Sequence, residues 1–198
     1  MRLIIVRHGE TSWNRQKRLQ GQKDIPISKI GLKQAKVLAK RLSSKNIDVI
    51  YTSRLKRAIK TAEEIKKFHK NAKLVKEKAL NEMSWGIWEG LKMDYIKRKY
   101  RELYIKREKD KFNYRIPNGE SPSILKNRIR KIISKIIKKS KDKTVLIVGH
   151  GGVNRTILGI LLKWSNKKIL SVRLQNASIT ILNIKNSKAR MYLFNSYH

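Results

Sequence analysis

The chain has 198 residues, 40% of them hydrophobic, and 49 Lys plus Arg against 14 Asp plus Glu, for a formal net charge of +35. That length suits one well-packed domain rather than two, and the absence of cysteine excludes disulfides and thiolate metal sites. No apolar run approaches the roughly 18 to 20 residues of a membrane span, and the four-residue apolar run at the start is too short for a secretory leader. A soluble, cytoplasmic protein is the expectation. The charge predicts salt-sensitive attraction to polyanions and fast capture of anionic substrates. Lysines are spread through every segment beside abundant Ile and Asn, however, and a compositional bias accounts for them as well.

Leu3-Ile4-Ile5-Val6 reads as a short buried strand that stops at Arg7-His8-Gly9. Strands of this type lie inside α/β sheets, whose ligands sit beyond the carboxyl ends, so Arg7 and His8 fall where a pocket is expected. Gly9, without a Cβ, would let the backbone approach a bound group. Thr11 to Lys23 is polar and aperiodic, a loop. Ser28 caps a helix from about Lys29, whose Leu32, Ala35, Leu38, Ala39 and Leu42 form one buried stripe. Asp48 to Tyr51 is a second strand, Thr52-Ser53 caps a helix running to about Phe68, and Lys73 to Lys76 is a short third strand.

From Leu80 to Gly90 two Trp, two Glu and two Gly crowd a turn-prone stretch, the kind of loop that builds a site. Leu91 to Asp110 is helical, very basic and carries Tyr95, Tyr100 and Tyr104. Ser121-Pro122 opens a helix with proline at its first position, and an Ile-rich stripe runs to Ser140. Thr144 to Val148 is a second strongly buried strand and ends at Gly149-His150-Gly151-Gly152. A helix follows, then a closing strand pair, Ser178 to Ile184 and Ala189 to Phe194, around Lys185-Asn186-Ser187. Alternating strands and helices predict a three-layer α/β/α domain with a mostly parallel central sheet. One domain, 1–198, is expected, with residues 91–117 as a helical cap over the site.

Two buried strands thus each deliver a histidine at the carboxyl end, with Arg7 beside one and Arg57 on the first turns of the helix after the second strand. Imidazole plus guanidinium near a helix N-terminus suits a dianionic phosphate, and the positive charge favours the neutral, nucleophilic form of a neighbouring histidine. Each residue also has a plainer reading. Arg57 could be an exposed helix arginine, Glu82 a lysine partner, Glu89 is a rival carboxylate in the same loop, and the Trp and Tyr residues could serve packing alone. His69 and His198 read as solvated bystanders.

The segments Arg7 to Asn14, Ser53 to Ala62, Leu80-Asn81-Glu82 leading into Gly86-Ile87-Trp88-Glu89-Gly90, and Val148 to Gly152 resemble, in order and spacing, those of the histidine phosphatases, the phosphoglycerate mutase-like superfamily. The resemblance spans nearly the whole chain. It implies His8 as the nucleophile that becomes phosphohistidine, Arg7, Arg57 and His150 as the groups holding the phosphoryl oxygens, and Glu82 as proton donor and acceptor. It further implies substrate contacts from Asn14, Gln20, Gly21 and Gly151, with no metal and no cofactor. Glu82-Met83-Ser84-Trp85-Gly86, His150-Gly151-Gly152 and Pro117-Asn118-Gly119-Glu120-Ser121 look like the phosphatase branch rather than the mutases.

The function expected is therefore metal-independent hydrolysis of a small phosphomonoester. A cofactor-dependent phosphoglycerate mutase is the first alternative, and a polyanion-binding protein on the same fold is the second. Expected partners are a small phosphorylated substrate and, from the charge, non-specific polyanions, with a homodimer as the oligomer if the chain assembles. No membrane partner is expected.

Overall fold

A computed structural model describes residues 1–186 and 188–197. Ser187, expected in the final turn, and His198, expected as a bystander, lie outside the described residues. The elements run β1 (Arg2–Arg7), α1 (Ser12–Arg15), α2 (Lys29–Leu42), β2 (Val49–Thr52), α3 (Lys56–Lys66), β3 (Lys73–Lys76), α4 (Met93–Lys99), α5 (Arg101–Lys109), α6 (Pro122–Lys139), β4 (Thr144–Gly149), α7 (Gly151–Leu161), α8 (Asn166–Ser171), β5 (Ile179–Lys185) and β6 (Lys188–Ser196). Two single 3-10 turns, Lys78–Leu80 and Gly86–Trp88, interrupt the aromatic loop.

The sheet order is β3-β2-β4-β1-β5-β6. β3, β2, β4 and β1 are parallel, and β5 and β6 close the sheet antiparallel. The mostly parallel three-layer expectation is the architecture found. Alternation along β1 sends Leu3 and Ile5 into one apolar layer and Ile4 and Val6 into the other. The first layer is completed by Leu125, Ile129, Ile133 and Ile136 of α6 and Val153 and Ile157 of α7. The second is completed by Leu38 and Leu42 of α2 and Ala58, Ala62 and Ile65 of α3. Each such buried Leu or Ile contributes about 1.5–3 kcal/mol. Helices on both faces are what make all four strand-centre residues of β1 apolar.

The register decides where the chemistry falls. Arg7 of β1 pairs with Gly149 of β4, and Thr52 of β2 pairs with Val148. The next residue on each strand (His8, His150, Ser53) therefore emerges near the same level at the carboxyl edge.

Local departures from the sequence expectation have local causes. The loop after His8 contains α1, closed by a capping box in which Thr11 accepts from the Asn14 amide and Asn14 Oδ1 accepts from the Thr11 amide. Ser53 does not cap α3; Leu55 holds that position without a side-chain bond. The basic helix breaks at Tyr100 (φ −117°, ψ 41°), and both pieces turn apolar residues, Ile96 and Tyr104 among them, onto a third small core of Trp88, Ile96 and Ile116. Helix α8 was not expected: of its six residues only Ile169 and Leu170 are apolar, too few to show periodicity. Ile169 seats it against Gly159, where a Cβ would come within 2.2 Å of the isoleucine. Among the described residues no helix is long and apolar enough to cross a membrane.

Candidate active site

His8 is 3% exposed and follows β1 directly, its amide bonded to the Gly149 carbonyl at 3.0 Å. Its Nδ1 lies 2.7 Å from the Gly9 carbonyl. A carbonyl only accepts, so Nδ1 carries the proton and neutral His8 keeps its lone pair on Nε2. Burial, then Arg57 and Arg7, hold its pKa well below the ordinary 6.5, so the ring is neutral and nucleophilic at pH 7. Gly9 serves a different approach from the one expected. A Cβ there would lie 2.3 Å from the Gly31 carbonyl oxygen, so the glycine lets the loop press against the start of α2.

His150 is fully buried, and its ring centroid lies 5.1 Å from that of His8 at 58°. Burial, then Arg57, His8 and Arg7, push its pKa well below 6.5. Its Nε2 is 2.8 Å from Ser53 Oγ. Arg57, 1% exposed on the first turn of α3, donates Nη1 to the Lys23 carbonyl (2.7 Å) and Nη2 to the Gly21 carbonyl (2.8 Å). Burial lowers its pKa to about 10 against the opposing pull of Glu82, so it remains cationic at neutral pH. Arg7 donates to the Leu174 carbonyl and is held below its usual pKa by burial, with Glu82 again opposing.

Glu82 accepts from the Met83 amide at 2.8 Å and from the Gly152 amide at 3.0 Å, at the N-terminus of α7, where negative charge is favoured. A Cβ at Gly152 would fall 2.5 Å from Glu82 Oε1, so only glycine lets the carboxylate sit there. Glu89, the rival carboxylate, is a clamp: its Oε1 accepts from the Gln22 and Trp85 amides and the Ser84 hydroxyl at 2.9, 3.1 and 3.2 Å. Gly21, at φ +52°, passes directly beneath it.

The expected five, Arg7, His8, Arg57, Glu82 and His150, thus converge. Arg7, Glu82 and Gly151 line the main cleft, a cavity of about 1100 Å³. Of the other expected contacts, Gly21 spends its carbonyl on Arg57. Gln20 is buried with Oε1 lacking a partner among the described residues. Asn14 has its Oδ1 engaged by Thr11 and by Asn176, which also donates to the His8 carbonyl at 2.9 Å. Nothing in the sequence marks Asn176, Arg107 or Arg155 as neighbours of this site. Arg7 Nε, Arg57 Nε and His150 Nδ1 are buried without a hydrogen-bond partner among the described residues. Buried polar atoms are rarely left so. Donor nitrogens so placed around a neutral histidine suit a receptacle for a tetrahedral oxyanion.

The sequence profile of the histidine phosphatase superfamily (branch 1) matches residues 3–196, and the chain belongs to that family. Phosphoserine phosphatase 1 of Hydrogenobacter thermophilus is 34% identical over 185 residues, covering 93% of this chain and 87% of the relative. The metal-independent phosphoserine phosphatase of Arabidopsis thaliana is 35% identical over 189 residues, covering 94% and 77%. The solved structure of the α-ribazole phosphatase of Shigella flexneri superposes with a TM-score of 0.92 at 25% identity, covering 100% of this chain and 97% of that one.

Proposed function

We propose that the protein is a metal-independent phosphomonoesterase that works through phosphohistidine on a small phosphorylated metabolite in the cytoplasm. The observation that carries this is the neutral His8, with Nε2 free, among buried donor nitrogens of Arg7, Arg57 and His150. His8 Nε2 attacks phosphorus in line, the P–O bond to the alcohol breaks, and Glu82 protonates the leaving oxygen. Water, deprotonated by Glu82, then attacks the phosphohistidine and returns the electron pair to Nε2. Arg7, Arg57 and His150 hold the non-bridging oxygens as charge develops on them, preorganised by their own backbone and Ser53 bonds.

Gly151 supports the near end of the cleft beside Arg7, and Asn14 and Gln20 border the phosphate receptacle. Residues 91–117, which carry α4 and α5, act as the cap that selects the alcohol portion. Met93, Lys97, Tyr104, Arg107 and Lys111 of that segment line the cleft. The whole set comes from one chain, so monomer and homodimer would be equally competent.

The test is hydrolysis of p-nitrophenyl phosphate in EDTA by wild type and His8→Ala. Metal-independent turnover, lost in the variant, with an acid-labile, alkali-stable phosphoenzyme in wild type, is the expected result. Inactive wild type that interconverts 2- and 3-phosphoglycerate when given the bisphosphate would instead make it a mutase, the lesser reading. Salt-sensitive nucleic-acid binding that survives His8→Ala would reveal polyanion binding as a separate property of the +35 surface.

A further inference from the structure

Away from the histidine pair, the charged groups of the cleft wall are mostly cations. Eight basic side chains line it against two carboxylates, Glu82 and Glu108. Arg155 of α7 and Arg173, just after α8, donate Nη1 to one shared acceptor, the Leu170 carbonyl, at 3.3 and 3.0 Å. That shared oxygen sets the two guanidinium groups side by side. Arg107 of α5, its side chain 15% exposed, lies 5.3 Å over the Trp85 ring in the same wall. Neither Arg155 nor Arg173 has a carboxylate within ion-pair distance among the described residues.

From this arrangement we infer that Arg155, Arg173 and Arg107 form a second anion subsite, and that the substrate is an organic bisphosphate: one phosphoryl group on His8, a second on the arginines. The inference rests on the phosphatase reading and narrows it. Guanidinium forks match phosphate oxygens bidentately, and each of Arg155 and Arg173 spends only one side-chain donor on the protein among the described residues. The three charges also disfavour one another. After burial, and against the pull of Glu82, Arg173 and Arg107 lower the Arg155 pKa. Arg173 likewise lowers that of Arg107, behind burial and the opposing pull of Glu108 and Tyr104. A dianion placed among them relieves that repulsion.

The same lining has few carboxylates to offer a substrate cation. Glu82 sits at the reacting centre on two amides, and Glu108 is taken by Arg107 at 2.9 Å and Lys111 at 2.8 Å.

The experiment separates this from the catalytic reading by measuring binding. His8→Ala, which cannot form the phosphoenzyme, is titrated calorimetrically at 0.15 M salt with fructose 6-phosphate, fructose 1,6-bisphosphate and O-phosphoserine. The first two ligands differ by one phosphoryl group. The bisphosphate is expected to bind about tenfold or more tightly than either monophosphate, and that advantage to fall to about threefold or less when Arg155→Gln or Arg173→Gln is added. Arg173 is exposed, so its variant decides the matter even if the Arg155 variant fails to fold. Equal affinity for the matched pair, O-phosphoserine binding as tight as the bisphosphate, or an advantage that survives Arg173→Gln would each overturn the subsite. Wild-type turnover of p-nitrophenyl phosphate is followed in parallel. Its absence would sink the phosphatase reading while leaving the titrations to judge the subsite.

Discussion

His150 Nε2 and Ser53 Oγ stand 2.8 Å apart where both residues are fully buried. Ser53 Oγ also accepts the Leu55 amide at 3.2 Å. If His150 donated to Ser53, the serine proton would have no acceptor in the structure described, so the hydroxyl donates and His150 carries its proton on Nδ1. That nitrogen has no hydrogen-bond partner among the described residues, and the proposed mechanism uses it as a donor to a phosphoryl oxygen. Ser53 is thus a positioning residue. Ser53→Ala is expected to cut kcat/KM about tenfold or more, and to cost about 1–3 kcal/mol of stability through the orphaned Leu55 amide. Nitrogen-15 shifts of the wild-type imidazole should show Nδ1 protonated. A protonated Nε2 would sink the assignment.

Both site histidines titrate well below 6.5 when folded and near that value when unfolded. Below pH 6.5 the unfolded chain binds more protons than the native one, so stability is present above that pH and lost as pH falls toward the depressed native values. Each histidine adds a slope of up to about 1.4 kcal/mol per pH unit across that window. Denaturant melts at pH 7.5, 6.5 and 5.5 should show the decline, and His8→Asn and His150→Asn should each flatten it. A slope unchanged in both variants would mean that other groups carry the acid sensitivity.

The proposed mechanism gives Glu82 two proton transfers, and they separate by leaving group. p-Nitrophenolate departs without protonation, whereas an alkoxide does not. Glu82→Gln should therefore lose about 10²–10⁴-fold in kcat/KM on an alkyl phosphate and much less on p-nitrophenyl phosphate. With the aryl substrate the phosphoenzyme should accumulate, because its hydrolysis still needs a base, and rapid mixing should show a burst of nitrophenolate. Equal losses on both substrates would remove Glu82 from the acid role.

How much of this was legible follows the kind of residue involved. β1 and β4 are visible because buried parallel strands must be apolar throughout, and their abrupt ends at Arg7-His8 and Gly149-His150 mark the site. Glu82 stands out only through the four ordered segments, and Arg57 gains most of its weight from them, since a single arginine or glutamate in so basic a chain carries little signal of its own. Ser53 has a residue type that suits a helix cap, and only the tertiary placement of β2 beside β4 brings its hydroxyl to a histidine. Arg155 and Arg173 were invisible for the opposite reason: among 49 basic residues, nothing local marks the two that share the Leu170 carbonyl. Tertiary placement, set by a six-residue helix too short to show periodicity, brings them together.

Gly152 gives a test of geometry without a change of charge. Its amide holds Glu82 Oε2 at 3.0 Å, and an added Cβ would lie 2.5 Å from Oε1. Alanine is a good helix former near the start of α7, so Gly152→Ala should leave the fold intact or stabilise it by about 0.5–1 kcal/mol. The carboxylate, however, must swing away from the reacting oxygen. A displacement of this kind is expected to cost about 10²-fold in kcat on an alkyl phosphate, with Tm held or raised. The pairing of lost rate with kept stability is the signature to look for. An active Gly152→Ala enzyme would show that Glu82 works from a position other than the one it holds against α7.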